Sequence, residues 1–325
     1  MDYVVGIDIG GTNTKLGAVT HGGQVSAQRE FATEAYANYR SFVQRLGEEI
    51  AALQTQVAGE CHGIGIGAPN GNIFTGAIEN APNLPFGASV PIVADLQRDF
   101  EVPHLYLTND ANAAAMGEMV YGGAQGIGDF ITITLGTGLG SGIVVAGEVV
   151  YGHDGMAGEL GHTTAIEDGR LCGCGKKGCL ETYASARGIV RNFLEMCARH
   201  GRSSTILGGE TIDGLSSKTI AEAATQGDHV ARDAFKMTGQ ILGASLANFV
   251  AFSSPRAIFL FGGPVKAGDL LLEPTRKALE KNVTKLFKNK VNVLPSQLPG
   301  NDAALLGAAA LVWHEEERPE NLKRG

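Results

Sequence analysis

One pattern occurs twice in this chain, and it constrains the fold more than anything else in the sequence. Tyr3 to Ile9 is a short apolar run rich in β-branched residues, followed by Gly10-Gly11-Thr12-Asn13 and then Lys15 to Val19, the grammar of a β-hairpin. At Phe130 the grammar restarts. Phe130 to Leu135 reads as a strand, Gly136-Thr137-Gly138-Leu139-Gly140-Ser141-Gly142 as a glycine loop, and Ile143 to Ala146 as a second strand. After each opening the chain alternates helix and strand. Phe42, Val43, Leu46, Ile50, Leu53 and Val57 form the stripe of an amphipathic helix from Tyr39. Strands follow at Gly63 to Gly67 and His104 to Leu107, with a short helix opened by Pro91 between them and an alanine-rich helix from Ala111. In the second half, helices are expected near Tyr183 to His200, His229 to Phe252 and Leu270 to Leu286, with strands at Arg256 to Phe261 and Val291 to Leu294. A last helix is expected near Asp302 to Trp313, and an exposed loop at Arg202 to Ser217. The class is α/β, and the repetition implies a duplicated unit facing itself across a cleft, a natural ligand site.

A chain of 325 residues has the length of about two domains. With 44% hydrophobic and 18% charged residues it is not disordered. An excess of 34 acidic over 26 basic side chains, with no basic block, argues against a nucleic-acid partner, whose phosphates would need neutralising. The longest apolar candidate for a membrane span, Ile241 to Phe252, is too short and is broken by Ser245 and Asn248. Met1-Asp2-Tyr3 shows no basic n-region, so the expected address is cytoplasmic, away from membranes.

Three segments carry chemistry. Asp8-Ile9-Gly10-Gly11-Thr12-Asn13-Thr14-Lys15 sets a carboxylate at a strand end, then two residues without side chains, then hydroxyls and a lysine. Such a turn can cradle an anion with its N–H groups, and an ordinary hairpin turn would leave Asp8, Thr12 and Lys15 unexplained. The second glycine loop invites the same close approach. Cys172, Cys174 and Cys179 lie in a C-x-C-x4-C spacing that, with His162, supplies a tetrahedral set suited to a structural zinc ion. Gly63-Ile64-Gly65-Ile66-Gly67-Ala68 formally fits a dinucleotide fingerprint. It lacks the helix that must follow, and it reads as a strand with one bulky face.

Taken together, these pieces resemble the ROK family of sugar kinases and repressors, within the actin-like ATPase and hexokinase superfamily. The resemblance rests on Asp8-Ile9-Gly10-Gly11-Thr12, Asn109-Asp110-Ala111-Asn112-Ala113, Gly138 through His162, Cys172-x-Cys174-Gly-x2-Gly-Cys179-x-Glu181 and Gly262-Gly263, in family order across nearly the whole chain. It implies two ribonuclease-H-like domains facing across a cleft, with a zinc-binding loop in the second. The expected boundaries are 1–110 plus about 302–325 for the smaller lobe and 111–301 for the larger. It implies transfer of the γ-phosphate of ATP to the 6-hydroxyl of a hexose, glucose first. The alternatives are a kinase for mannose, fructose, N-acetylglucosamine or another hexose, or a non-enzymatic sugar-responsive regulator.

By the same resemblance Asp110 is the catalytic base; the residue alone would serve equally as a helix N-cap. Gly71, Asn83, Asn109, Glu159, His162 and Glu181, with Asp110, fall at sugar-binding positions. Asp8 falls near Mg2+, Gly10, Gly11, Thr12, Lys15, Thr137 and Gly138 near the phosphates, and Gly262 and Gly263 near the adenosine. His162 would use one ring nitrogen for zinc and the other for the sugar. The chain departs from the family pattern at Asn70, where Gly is common, and at Phe86, where Trp is common. With the first strand read from residue 3, a DNA-binding helix-turn-helix is not expected, and a homodimer is the expected assembly.

Overall fold

The computed structural model describes residues 2–87, 89–100, 104–202, 205–300 and 302–318. Parts of the expected 202–217 loop and of the expected 302–325 segment therefore lie outside the described residues. In chain order the elements are β1 (Tyr3–Ile9), β2 (Asn13–Thr20), β3 (Val25–Ala32), α1 (Tyr39–Gln56), β4 (Cys61–Ala68), β5 (Gly71–Asn72), β6 (Ala77–Ile78), α2 (Ile92–Asp99), β7 (Leu105–Asn109) and α3 (Asp110–Tyr121). There follow β8 (Phe130–Leu135), β9 (Leu139–Val145), β10 (Glu148–Val149), α4 (Ala186–His200), α5 (Ser217–Thr225), α6 (His229–Ser253), β11 (Ala257–Phe261), α7 (Asp269–Asn282), β12 (Asn292–Pro295) and α8 (Ala303–Glu317).

The repeat in the sequence is a repeat in topology. One sheet runs β3-β2-β1-β4-β7 and the other β10-β9-β8-β11-β12, which is the same order, third-second-first-fourth-fifth, in each. In the first, β1 to β3 are antiparallel and β4 and β7 join in parallel. In the second, β9 and β10 are antiparallel while β11 pairs in parallel with both β8 and β12. This is the duplicated α/β architecture that the alternation implied. The chain divides into two compact units, residues 1–128 with 142–157 and 297–325, and residues 129–141 with 158–296.

Within the first unit the hydrophobic stripe of α1 buries Phe42, Leu46, Ile50 and Leu53 against the sheet, and Asn38 caps the helix by accepting from the N–H groups of Arg40 and Ser41. Each such side chain contributes about 1.5–3 kcal/mol of burial. On the sheet's other face the glycines of β1 and β4 make a shallow trough. A Cβ at Gly6 would strike the carbonyl of Leu305, and one at Gly65 the carbonyl of Ala308, so α8 lies almost on the strand backbones. This is why the Gly-Ile alternation of β4 exists. Its isoleucines Ile64 and Ile66 fill the core while its glycines admit a helix, and no dinucleotide turn is built there. The small residues of α8 and α3 serve the same closeness, for Gly307 meets the carbonyl of Ala113 and the backbone of Gly117.

Two expectations need correction, and β3 adds a strand to those expected: its inner and outer residues alternate, and four of its eight residues are polar. The segment at 202–217 was expected to be loop to its end, but Ser216 and Thr219 form a capping box that starts α5, an unforeseen helix burying Ile220, Ala223 and Ala224. The second glycine loop is shorter than 136–142, because β9 begins at Leu139. Gly142 belongs to that strand and lets the start of α3 come against it, where a Cβ would meet the carbonyl of Ala111 and the methyl of Ala115.

Candidate functional site

In the first unit the ends of β1 and β7 bring two carboxylates into electrostatic contact. Asp8 is the penultimate residue of β1 and Asp110 the first of α3. Burial, then the charge of Asp110, push the Asp8 carboxyl up to about 6, against the pull of Lys15, which the β1–β2 register places opposite it. Asp110 keeps a solvent-open surface, yet the protein around it raises its carboxyl too, opposed by the N–H of Ala111 donating to its Oδ1 at 2.7 Å. The cap of α3 is Asn109, whose Oδ1 accepts from the same N–H at 2.9 Å. Asn109 and Asp110 therefore share one capping N–H, which engages only one oxygen of the Asp110 carboxylate.

The first glycine turn sits close by. The Gly10 N–H donates to the Asn13 carbonyl at 3.0 Å, and a Cβ on Gly11 would lie 2.5 Å from the carbonyl of Asn83, so turn and Asn83 are in direct backbone contact. The Thr12 carbonyl accepts from Thr33, at 2.8 Å, while its side chain is exposed. Lys15 pairs loosely with Glu30 across the sheet, at 3.9 Å. Gly71 backs onto the Thr108 carbonyl, one residue before Asn109. The unit thus gathers Asp8, Gly10, Gly11, Thr12, Lys15, Gly71, Asn83, Asn109 and Asp110 at neighbouring strand ends. Asn70 takes φ +52°, the left-handed region that Gly enters freely and Asn tolerates, and its side chain donates to the carbonyls of Glu79 and Asn80. Phe86 packs on Tyr39 and Phe42, within an aromatic cluster that continues through Phe31 and Tyr36.

In the second unit the four expected metal donors converge, all within 4.8 Å of one another. Cys174 Sγ lies 3.6 Å from Cys179 Sγ, and Cys172 Sγ lies 3.7 Å from His162 Nδ1. Tetrahedral bonds of about 2.3 Å to zinc place sulfurs roughly 3.8 Å apart, so the donor set fits that ion. Without a cation the buried thiols keep their protons, and a metal would bind them as thiolates. Burial pushes Cys172 up to about 12 and raises Cys179, while the Lys176 N–H lowers Cys174. The loop has its own anchor in Arg170, whose guanidinium lies 4.5 Å over the ring of Tyr183 and donates to the Thr182 carbonyl, Asn192 and Glu195. Sequence reasoning missed this anchor; a lone arginine inside a Gly/Cys loop was its only signal.

His162 turns Nδ1 to the thiols and leaves Nε2 facing Glu159, 4.0 Å from its Oε2. Glu181 is held by its neighbours on one side. Its Oε2 accepts from the Leu139 N–H at 3.0 Å, and its Oε1 lies 3.6 Å from Cys172 Sγ. Thr137 is exposed at the tip of the second glycine turn, and Gly138 sits directly against Glu181. Gly262, at φ +111°, abuts the Leu135 carbonyl at the end of β8, and nothing crowds Gly263. A separate groove of about 920 Å3 between α5, α6 and α7, lined by Arg232, Lys236, Lys277 and Lys281 among others, contains none of these residues.

With that geometry in place, comparison with known proteins gives a consistent result. The model of the ROK family matches residues 4–315. The chain is 35% identical to the glucokinase of Halalkalibacterium halodurans over 98% of this chain and 97% of the relative, and 36% identical to that of Streptomyces coelicolor over 96% and 98%. Among solved structures, a ROK family glucokinase from Streptomyces griseus in complex with glucose and AMPPNP superposes with a TM-score of 0.80 at 34% identity, covering 96% of this chain and 99% of that one.

Proposed function

The chain belongs to the ROK family, and we propose that it is an ATP-dependent sugar kinase that phosphorylates the 6-hydroxyl of glucose. The observation that carries the mechanism is Asp110. It is a solvent-open carboxylate at the first turn of a helix, raised by the protein around it, close enough to Asp8 to raise that carboxyl, and sharing the capping N–H of Ala111 with Asn109.

Phosphoryl transfer asks the protein for positioning and charge more than for covalent chemistry. In this reading Asp110 accepts the proton of the 6-hydroxyl as that oxygen attacks the γ-phosphorus, and a carboxylate raised above its ordinary value is a better base. Asn109, Asn83, Gly71, Glu159, Glu181 and the Nε2 of His162 orient the sugar hydroxyls. Asp8 is the carboxylate that would hold Mg2+, which when bound offsets the charge of the triphosphate. The N–H groups of Gly11 and Thr12 and of Thr137 and Gly138, with the two threonine hydroxyls and Lys15, receive the phosphates, Gly10 lets them come close to the turn, and Gly262 and Gly263 leave room for the adenosine. Cys172, Cys174, Cys179 and His162 Nδ1 would hold zinc in a closed, structural site, which orients the ring of His162.

The deciding experiment is ADP formation from Mg-ATP in a coupled assay across glucose, mannose, fructose, N-acetylglucosamine and N-acetylmannosamine, with Asp110→Ala as blank. Turnover with glucose well above the others is expected. A different preferred sugar would move the specificity and keep the mechanism, and no turnover with any of them would overturn the kinase reading.

A further inference from the structure

We infer that Glu181 is a positioning residue for the nucleotide: it is the strut by which the metal loop holds the second glycine turn in the form that receives the phosphates of ATP. Naming the ligand rests on the kinase reading above; the strut itself does not. One oxygen of the carboxylate, Oε2, accepts from the Leu139 N–H at 3.0 Å; the other, Oε1, lies 3.6 Å from Cys172 Sγ, a bond the thiol donates only while it keeps its proton and not once it ligates a metal as thiolate. A Cβ added to Gly138 would collide with Glu181 Oε2. The missing side chain at 138 therefore makes room for this carboxylate, and only secondarily for a ligand.

Glu181 cannot move independently of the metal loop. It lies in the single 3-10 turn Leu180–Thr182 that begins directly after Cys179, and the Thr182 N–H donates to the Cys179 carbonyl. The return strand is gripped by the same loop from its other end. Leu160 N–H donates to Ser141 Oγ at 3.2 Å, Ser141 Oγ donates to the Gly158 carbonyl, and Gly161 lies against the Leu139 carbonyl. Leu139 to Ser141 is thus held between the segment ending in His162 and the segment starting at Cys179. A loop closed around an ion keeps both grips in register. A loop without one loses the constraint that sets the distance between them. An anion beside a phosphate-accepting turn would ordinarily repel its ligand, and the cost is limited here because the charge is already committed to a backbone donor.

The test compares Glu181→Ala with Glu181→Gln, whose amide oxygen can still accept from Leu139. In unliganded protein, exchange of the Leu139 amide hydrogen should accelerate about tenfold or more in Glu181→Ala and stay near wild type in Glu181→Gln. Metal removal by a chelator should accelerate it in wild type and add nothing further in Glu181→Ala. The Ile131 and Ile133 amides of β8 serve as controls and should not change. By calorimetry, Kd for AMPPNP should rise about tenfold in Glu181→Ala and remain within about threefold in Glu181→Gln. Leu139 exchange and AMPPNP affinity within twofold of wild type in Glu181→Ala would overturn the inference. A glutamine variant as impaired as alanine would also overturn it, since an accepting oxygen would then not be what matters. Failure of wild type to bind AMPPNP would overturn the nucleotide assignment along with the kinase reading, while the amide exchange still decides the strut.

Discussion

The two glycine turns look like copies in the sequence and sit at matching places in matching sheets, yet they are held in different ways. The first is braced by backbone: Gly11 rests on the Asn83 carbonyl, and Thr12 is tied to Thr33. The second is braced by a side chain, the Glu181 carboxylate, brought in from the metal loop. The first turn also neighbours the repelling pair Asp8 and Asp110, whereas the second neighbours the metal donors. Duplication preserved the topology and let each copy find its own support. Support in the first comes from the sheet and its core, and in the second from the loop that carries the metal donors.

The sharpest way to break that contrast is to remove the charge chemistry from the first turn. Asp110→Asn should lower kcat by about 10²–10⁴ and leave Kd for glucose and AMPPNP within a few-fold, measured by steady-state kinetics and calorimetry. Wild-type turnover would show that the carboxylate pair is structural. Next come the two glycines themselves. Gly11→Ala forces a methyl onto a backbone carbonyl that cannot step aside, and should cost about 1–3 kcal/mol of stability by denaturant unfolding. Gly138→Ala meets only the end of a flexible side chain, which can swing away. It should cost less stability than Gly11→Ala, about 1 kcal/mol for the Leu139 bond that is lost, while raising KM for ATP about tenfold. Equal losses of stability in the two variants would erase the distinction between backbone and side-chain support.

The smallest effect is electrostatic. A carboxyl raised in the folded state costs stability once it ionises, so the penalty from Asp8 is absent below the ordinary value of 3.8 and complete above about 6. Asp8→Asn should therefore melt higher than wild type at pH 7, by about 1 kcal/mol after solvent screening, and the gain should vanish below pH 4. In Asp110→Asn the Asp8 carboxyl, followed by carbon NMR, should titrate below its wild-type value of about 6.

The sequence by itself determined much. Strand, glycine turn and strand stated twice were enough for the α/β class and its duplication, and the stripe of α1 read at its true limits to within a residue. The Cys and His spacing was enough for a metal donor set that the structure brings within 4.8 Å. These are local signals, set by side-chain period or by donors a few residues apart, and they survive without knowledge of the rest of the chain. Tertiary structure alone decided the remainder. β3 forms because β2 offers it an open edge, not because its own polar residues demand a strand. The glycines of β4 are explained by α8, which returns from the far end of the chain. Glu181 reaches Leu139 across 42 residues, and nothing in the spelling of either segment announces that bond. Such pairings depend on where distant segments are packed, and a one-dimensional pattern carries no record of distance in space.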